Sequence, residues 1–243
     1  MLIKKFIFGE EIKFEKEFVK PTIILLMAAI IPTLHTYIGS REFFINAYNA
    51  TIADESILQW YSVIYFFIAA FVLLGVIPAL VTKFILKEKL TDYGVQLGDK
   101  RRGFVAVAVL FPLIAFAFLL PAAYQKEMRD FYPLFKGALE DISIFHTMEI
   151  TRGLFFYTAW EFFFRGFLLF GMRKYIGDWN AILIQTIPSC LWHLGYPAGE
   201  IFMSIPAGIM FGVLALRTRS IVYPFLLHWL IGIALDVFIL ITK

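Results

Sequence analysis

Five ionisable side chains, Glu161, Arg165, His193, His228 and Asp236, fall inside the longest apolar stretches of this chain, and nearly every other charge falls between those stretches. A charge in hydrocarbon is costly, so such a residue normally comes with a partner, a cavity or a task. Glu161 and Arg165 are four apart, which puts them on one helix face and lets them neutralise each other. His193 lies near the end of a later stretch. Glu200 follows it across a turn containing Pro197 and Gly199, where it can sit in the first turn of the next helix, a position that favours acids, or point back at His193. His228 falls midway along the last stretch. Asp236, roughly 12 Å further along that axis, can border the same cavity without touching the imidazole.

Each of these residues has a bland reading as well: a self-neutralising ion pair, a hydrogen-bonded packing histidine, a helix-start acid. Together they support a sharper one. A glutamate, an arginine and two histidines from three different apolar stretches should all turn away from lipid and can meet in one wet hollow. A carboxylate and two imidazoles there supply what amide hydrolysis needs: a base for water, a group that positions it or protonates the leaving amine, and a donor for the oxyanion. Two histidines and a glutamate can also bind zinc. No His-Glu-x-x-His pattern is present, so that reading lacks its usual local signature, and neither a metal nor another cofactor is expected.

The elements that must position these groups are membrane helices. The chain has 243 residues, 60% hydrophobic and 17% charged, against roughly 45–50% and 25% in soluble domains. With 28 phenylalanines it has more apolar surface than a water-facing globule of this size can hide. Continuous apolar runs predict an all-α, polytopic bundle of about seven transmembrane helices, near 21–39, 57–86, 104–123, 147–172, 179–196, 200–217 and 220–241. Segment 57–86 is long enough to tilt or to break near Gly75 and Pro78. Residues 126–141 read as a loop or surface-lying helix. Gly208 and Gly212 form a Gly-x-x-x-Gly pair that permits close helix approach, with Pro206 as a kink site just before it. Lysines and arginines crowd the N-terminal segment and the even-numbered loops, which predicts a cytoplasmic N-terminus. The early charges exclude a cleavable signal peptide. The single cysteine, Cys190, excludes an internal disulfide framework, and no basic stripe points to nucleic acid.

On these residues the chain resembles the CAAX-protease and bacteriocin-processing (CPBP, or Abi) family, prokaryotic relatives of the Rce1-type prenyl-protein endopeptidases. That family has a Glu-Glu-x-x-x-Arg motif on one span, Phe-x-x-x-His on the next, and a later His-x-x-x-Asn or Asp. Glu161 matches the second glutamate, Arg165 the arginine, His193 the second motif's histidine and His228 the third's. The likeness covers about 145–240, which implies a single membrane domain in which 1–142 supplies N-terminal spans and 143–243 an Rce1-like core. The departures are Trp160 for the first glutamate, Ser189 for the phenylalanine, and Gly232 for the amide or acid.

The resemblance implies a membrane-embedded glutamic endopeptidase, multi-pass in a prokaryotic plasma membrane. It would cleave a peptide or a lipid-modified protein, with Glu161 as base, His193 assisting, His228 as oxyanion donor and Arg165 holding Glu161. In a rewired site Glu200 would reach His193, and Asp236 or backbone groups would replace the missing polar residue. The competing expectations are a non-catalytic member that binds a peptide or partner protein, and a proton-coupled transporter. Substrate identity and oligomeric state are not written in the sequence.

Overall fold

The computed structural model describes residues 15–242; most of the charged N-terminal stretch used above to assign orientation lies outside them. Among the described residues there is helix and no strand. The long elements are α1 (Val19–Ile38), α2 (Arg41–Tyr48), α3 (Glu55–Ile85), α4 (Lys100–Ala122), α5 (Lys126–Phe131), α6 (142–176), α7 (Asp178–Leu191), α8 (Ala198–Thr218) and α9 (Val222–Ile241). Five helical stretches of the chain are long and apolar enough to cross a membrane: Lys16–Tyr48, α3, α4, α8 and α9.

The expectation of about seven spans is therefore met for five. The other two segments exist as helices of a different kind. α6 carries Glu149, Arg152, Glu161 and Arg165 along its length, and α7 has only 14 residues. The second half of α6 is an inner element, whereas α7 buries one face and leaves Trp179, Leu183, Ile187 and Leu191 exposed. Every residue from Phe162 to Leu169 is buried, so α6 is the axis around which the apolar spans pack. The Phe162–Phe164 run is packing material in that core.

α3 does not break at Gly75 and Pro78. It stays helical to Ile85 through two wider π-helical stretches, Phe71–Val76 and Val81–Ile85. Gly75 there faces Ala159 of α6, where an added Cβ would stand 3.3 Å away. α6 itself widens twice, at Arg152–Tyr157 and Phe162–Phe170. Such widenings often mark functional sites, and here they bracket the short α-helical segment Thr158–Glu161.

Two contacts fix the register of α9 on α6. The Trp229 indole lies over Gly153, whose missing Cβ would sit 2.2 Å from the ring, and its Nε1 donates to the Glu149 carbonyl at 2.9 Å. One turn on, Gly232 clears the space taken by Tyr157. The close approach expected from Gly208 and Gly212 occurs against α7: Gly208 meets Thr186, Gly212 meets Ile182 and Gln185, and Gln185 Nε2 donates to the Gly208 carbonyl at 2.9 Å. Pro206 lies within α8, which is helical throughout Ala198–Thr218.

The 123–141 connection is folded rather than slack. Arg129 donates to the Ala123 and Thr242 carbonyls, and Lys136 to the Arg129 and Tyr132 carbonyls. Glu127 accepts the Ala198 N–H and so caps α8. Tyr132 is thereby held over the start of that helix.

Candidate active site

Four elements converge on one place. The mid-part of α6 supplies Tyr157, Trp160, Glu161 and Arg165. The turn after α7 supplies His193, the first turn of α8 supplies Glu200, and α9 supplies His228. A small hollow of about 40 Å³ lies between them, bordered by Arg152, Tyr157, Trp160, His193, Glu200 and His228 among others. That volume holds a few waters, since one needs roughly 10–15 Å³. Tyr132, Tyr157, Trp160, His193, Glu200 and His228 also border a second cavity of about 600 Å³. Its walls are otherwise mostly aliphatic and aromatic, from α4, α8 and α9, including Leu113, Phe118, Met203 and Ile231. The polar hollow thus lies against an apolar cleft wide enough for a peptide side chain or an acyl-like tail.

The two histidines are held by different groups. His193 Nδ1 lies 2.7 Å from the Ser189 carbonyl, so Nδ1–H donates and Nε2 carries the free lone pair. Nε2 faces Glu200 Oε1 at 3.9 Å. Glu200 in turn accepts the Tyr132 hydroxyl at 2.8 and 2.9 Å. Burial, and next the Glu200 charge beside it, push the Tyr132 phenol well above its usual range, so it stays a donor. His228 Nδ1 lies 2.6 Å from Glu161 Oε1. With that carboxylate ionised, Nδ1–H donates and Nε2 is left as the outward nitrogen. The ring is also flanked by Tyr157 at 4.4 Å and Phe211 at 5.2 Å between centroids.

Glu161 is fully buried and borders neither cavity. Its Oε1 goes to His228, and its Oε2 is 3.3 Å from Arg165 Nε in an ion pair that lacks hydrogen-bond geometry. The Arg165 guanidinium lies over the Phe211 ring at 5.1 Å and borders the cleft. The expected Glu161–Arg165 pair is therefore present, with His228 as a third member.

Asp236 is buried elsewhere. Its Oδ2 is 3.1 Å from Arg152 Nη2, and Asp236 borders neither cavity. Arg152 Nη2 also donates to both oxygens of Glu149 at 2.8 and 2.6 Å. The Glu149–Arg152–Asp236 network is not among the sequence-predicted groups, although the three-residue spacing of Glu149 and Arg152 near the start of an apolar run is a usable signal. Tyr132 and Tyr157 are not among them either. Among the described residues, no group of three or more His, Cys, Asp or Glu side chains is placed to hold a metal ion.

The three departures from the family motif have visible consequences. Trp160 is buried against Trp192, Phe164 and His193, and its Nε1 has no hydrogen-bond partner among the described residues. Ser189 keeps a role through its carbonyl, which orients His193. At Gly232 an added Cβ would meet the Tyr157 hydroxyl at 2.4 Å and Arg152 Nη2 at 3.0 Å.

Residues 146–234 match the family model described as type II CAAX prenyl endopeptidase Rce1-like. The match spans α6 to α9 and so contains Glu161, Arg165, His193, Glu200 and His228. The chain is a multi-pass membrane protein in which residues 146–234 are similar to that family's domain. No curated protein and no solved structure matches it.

Proposed function

We propose that this protein is a membrane-embedded endopeptidase in which Glu200 and His193 activate water. The observation that carries the reading is the Glu200 carboxylate 3.9 Å from His193 Nε2, both bordering a water-sized hollow that adjoins an apolar cleft. Glu161 was the other candidate base. With both its oxygens directed at His228 and Arg165 and neither at the hollow, it suits a positioning role, fixing the His228 ring.

In the proposed reaction a water in the hollow gives a proton to the Glu200 carboxylate as its oxygen bonds to the scissile carbonyl carbon. The carbonyl π pair moves onto oxygen. When the tetrahedral intermediate collapses, the C–N bond breaks and the leaving nitrogen takes the proton back from Glu200. His193 Nε2 accepts the second water hydrogen and so holds the water in line, and His228 borders the hollow beside it. Before attack the Tyr132 hydroxyl donates to Glu200 and orients its carboxyl group. The cleft walls favour a peptide with an apolar or lipid-modified segment, presented from within the bilayer. In this reading 143–243 is the working core, 1–142 frames it, and the N-terminus faces the cytoplasm of a prokaryotic cell.

The test is cleavage of a quenched-fluorescent peptide library, with and without an acyl or prenyl tail, by protein in proteoliposomes. Glu200→Gln and His193→Ala should each lower kcat by at least about 100-fold while leaving thermal stability close to wild type. Full activity in Glu200→Gln would remove the proposal. A second reading, a peptide-binding scaffold, draws on the pairing of Glu161 with Arg165 and His228 away from the hollow. It would be favoured if wild-type protein bound these peptides and released no product.

A further inference from the structure

The proposed reaction lacks one part. His193 and His228 both donate through Nδ1, to the Ser189 carbonyl and to Glu161. Their Nε2 atoms and the Glu200 carboxylate are therefore all acceptors toward the hollow. A tetrahedral oxyanion needs a donor, and the position where the family carries an amide or acid is Gly232.

The structure fills that position from the facing helix. A Cβ built on Gly232 would lie 2.4 Å from the Tyr157 hydroxyl, so the hydroxyl occupies the volume that a side chain at 232 would occupy. Tyr157 borders both the hollow and the cleft, and no hydrogen-bond partner for its hydroxyl exists among the described residues. Its ring packs against His228 with centroids 4.4 Å apart and planes tilted by 41°, which sets the hydroxyl beside the second imidazole of the site. Arg152 Nη2 lies behind it, 3.0 Å from the same notional Cβ, and Glu149 and Asp236 hold that guanidinium in place. The alternative donor, Trp160 Nε1, is sealed from solvent.

We infer that Tyr157 is the oxyanion donor of this site, and that Gly232 is glycine because a side chain there would displace it. The assignment rests on the hydrolytic reading above. During attack the hydroxyl keeps its proton and donates a hydrogen bond to the carbonyl oxygen as negative charge gathers there. Arg152 acts as a positioning residue for it.

Two readouts separate this inference from the reading on which it rests. The first is turnover of the peptide library in proteoliposomes. The second is binding of phosphinic peptides, whose tetrahedral anion imitates the intermediate. Tyr157→Phe keeps the ring on His228 and removes only the hydroxyl. It should lower kcat by about 100-fold, leave KM unchanged, and weaken phosphinic-peptide binding far more than binding of the parent peptides. Wild-type kcat in Tyr157→Phe, beside an inactive Glu200→Gln, would overturn the inference and leave the protease standing. If wild type cleaves nothing but binds phosphinic peptides through the Tyr157 hydroxyl, the donor stands and the protease falls. No phosphinic-peptide preference in wild type would overturn the donor assignment as well.

Discussion

Charge placement decides the chemistry of single residues here. Glu161 borders neither cavity and Arg165 reaches only the apolar cleft, so each is tolerated chiefly because the other is present. Removing one partner of such a pair leaves an uncompensated buried charge, at a cost of about 3–5 kcal/mol, whereas replacing both with neutral groups of similar shape is far cheaper. Glu161→Gln and Arg165→Met should each lower the thermal unfolding temperature in detergent markedly, and the double variant should recover most of the loss. Additive losses in that cycle would show that the pair is not coupled. The double variant should still lose turnover, because the His228 ring no longer has a carboxylate to hold it. The five residues that opened the sequence reading were visible for the same electrostatic reason: a charge within an apolar run is rare enough to need an account. Tyr132 and Tyr157 carried no such mark. In a chain with 11 tyrosines and 28 phenylalanines, a phenol that works cannot be told from one that packs until its hydroxyl is seen beside Glu200 or over Gly232.

Helices set the distances, and small residues set the helices. Glu200 and His193 face each other because α7 and α8 approach closely along Gly208 and Gly212, with a short turn closing the hairpin. A Cβ at Gly208 would already stand 2.9 Å from Thr186. Gly208→Val should therefore destabilise by about 1–3 kcal/mol through overpacking. It should also reduce kcat more than Thr186→Val, since spreading the hairpin alters the Glu200–His193 separation as well as the packing; unfolding in detergent and turnover of one chosen peptide measure the two effects. A loss of stability with unchanged turnover would mean that the hairpin does not set that distance. The Gly-x-x-x-Gly pair was legible because its physics is local to four residues. The wide turns of α3 and α6 were not, because an apolar run has the same composition whether its carbonyls bond four or five residues ahead. Counting spans suffered likewise: the second half of α6 is apolar because other helices wrap it, and a hydropathy pattern does not distinguish protein from lipid as the surrounding medium. α7 exposes an apolar face and is only 14 residues long.

At the scale of the whole molecule, an apolar cleft and a polar hollow share the side chains that would do the work. The cleft lies among α4, α8 and α9, with α4 exposing Leu113 and Phe118, so a substrate tail can lie in the cleft while its peptide bond reaches Glu200. The N-terminal part of the chain takes part in this arrangement: α4 forms a wall, and the 123–141 connection brings Tyr132 to Glu200. That division of labour makes tail recognition separable from chemistry. Leu113 borders the cleft but not the hollow, and is well exposed. Leu113→Trp should narrow the cleft without altering the hollow. It should lower kcat/KM for a peptide with an apolar or lipid tail by about tenfold, the scale on which a hydrophobic pocket discriminates, and leave the same peptide without its tail unaffected. Equal losses on both peptides would show that the substitution reached the hollow. Equal retention on both would show that the tail lies elsewhere, and the cleft would then be only a lipid-filled gap between helices.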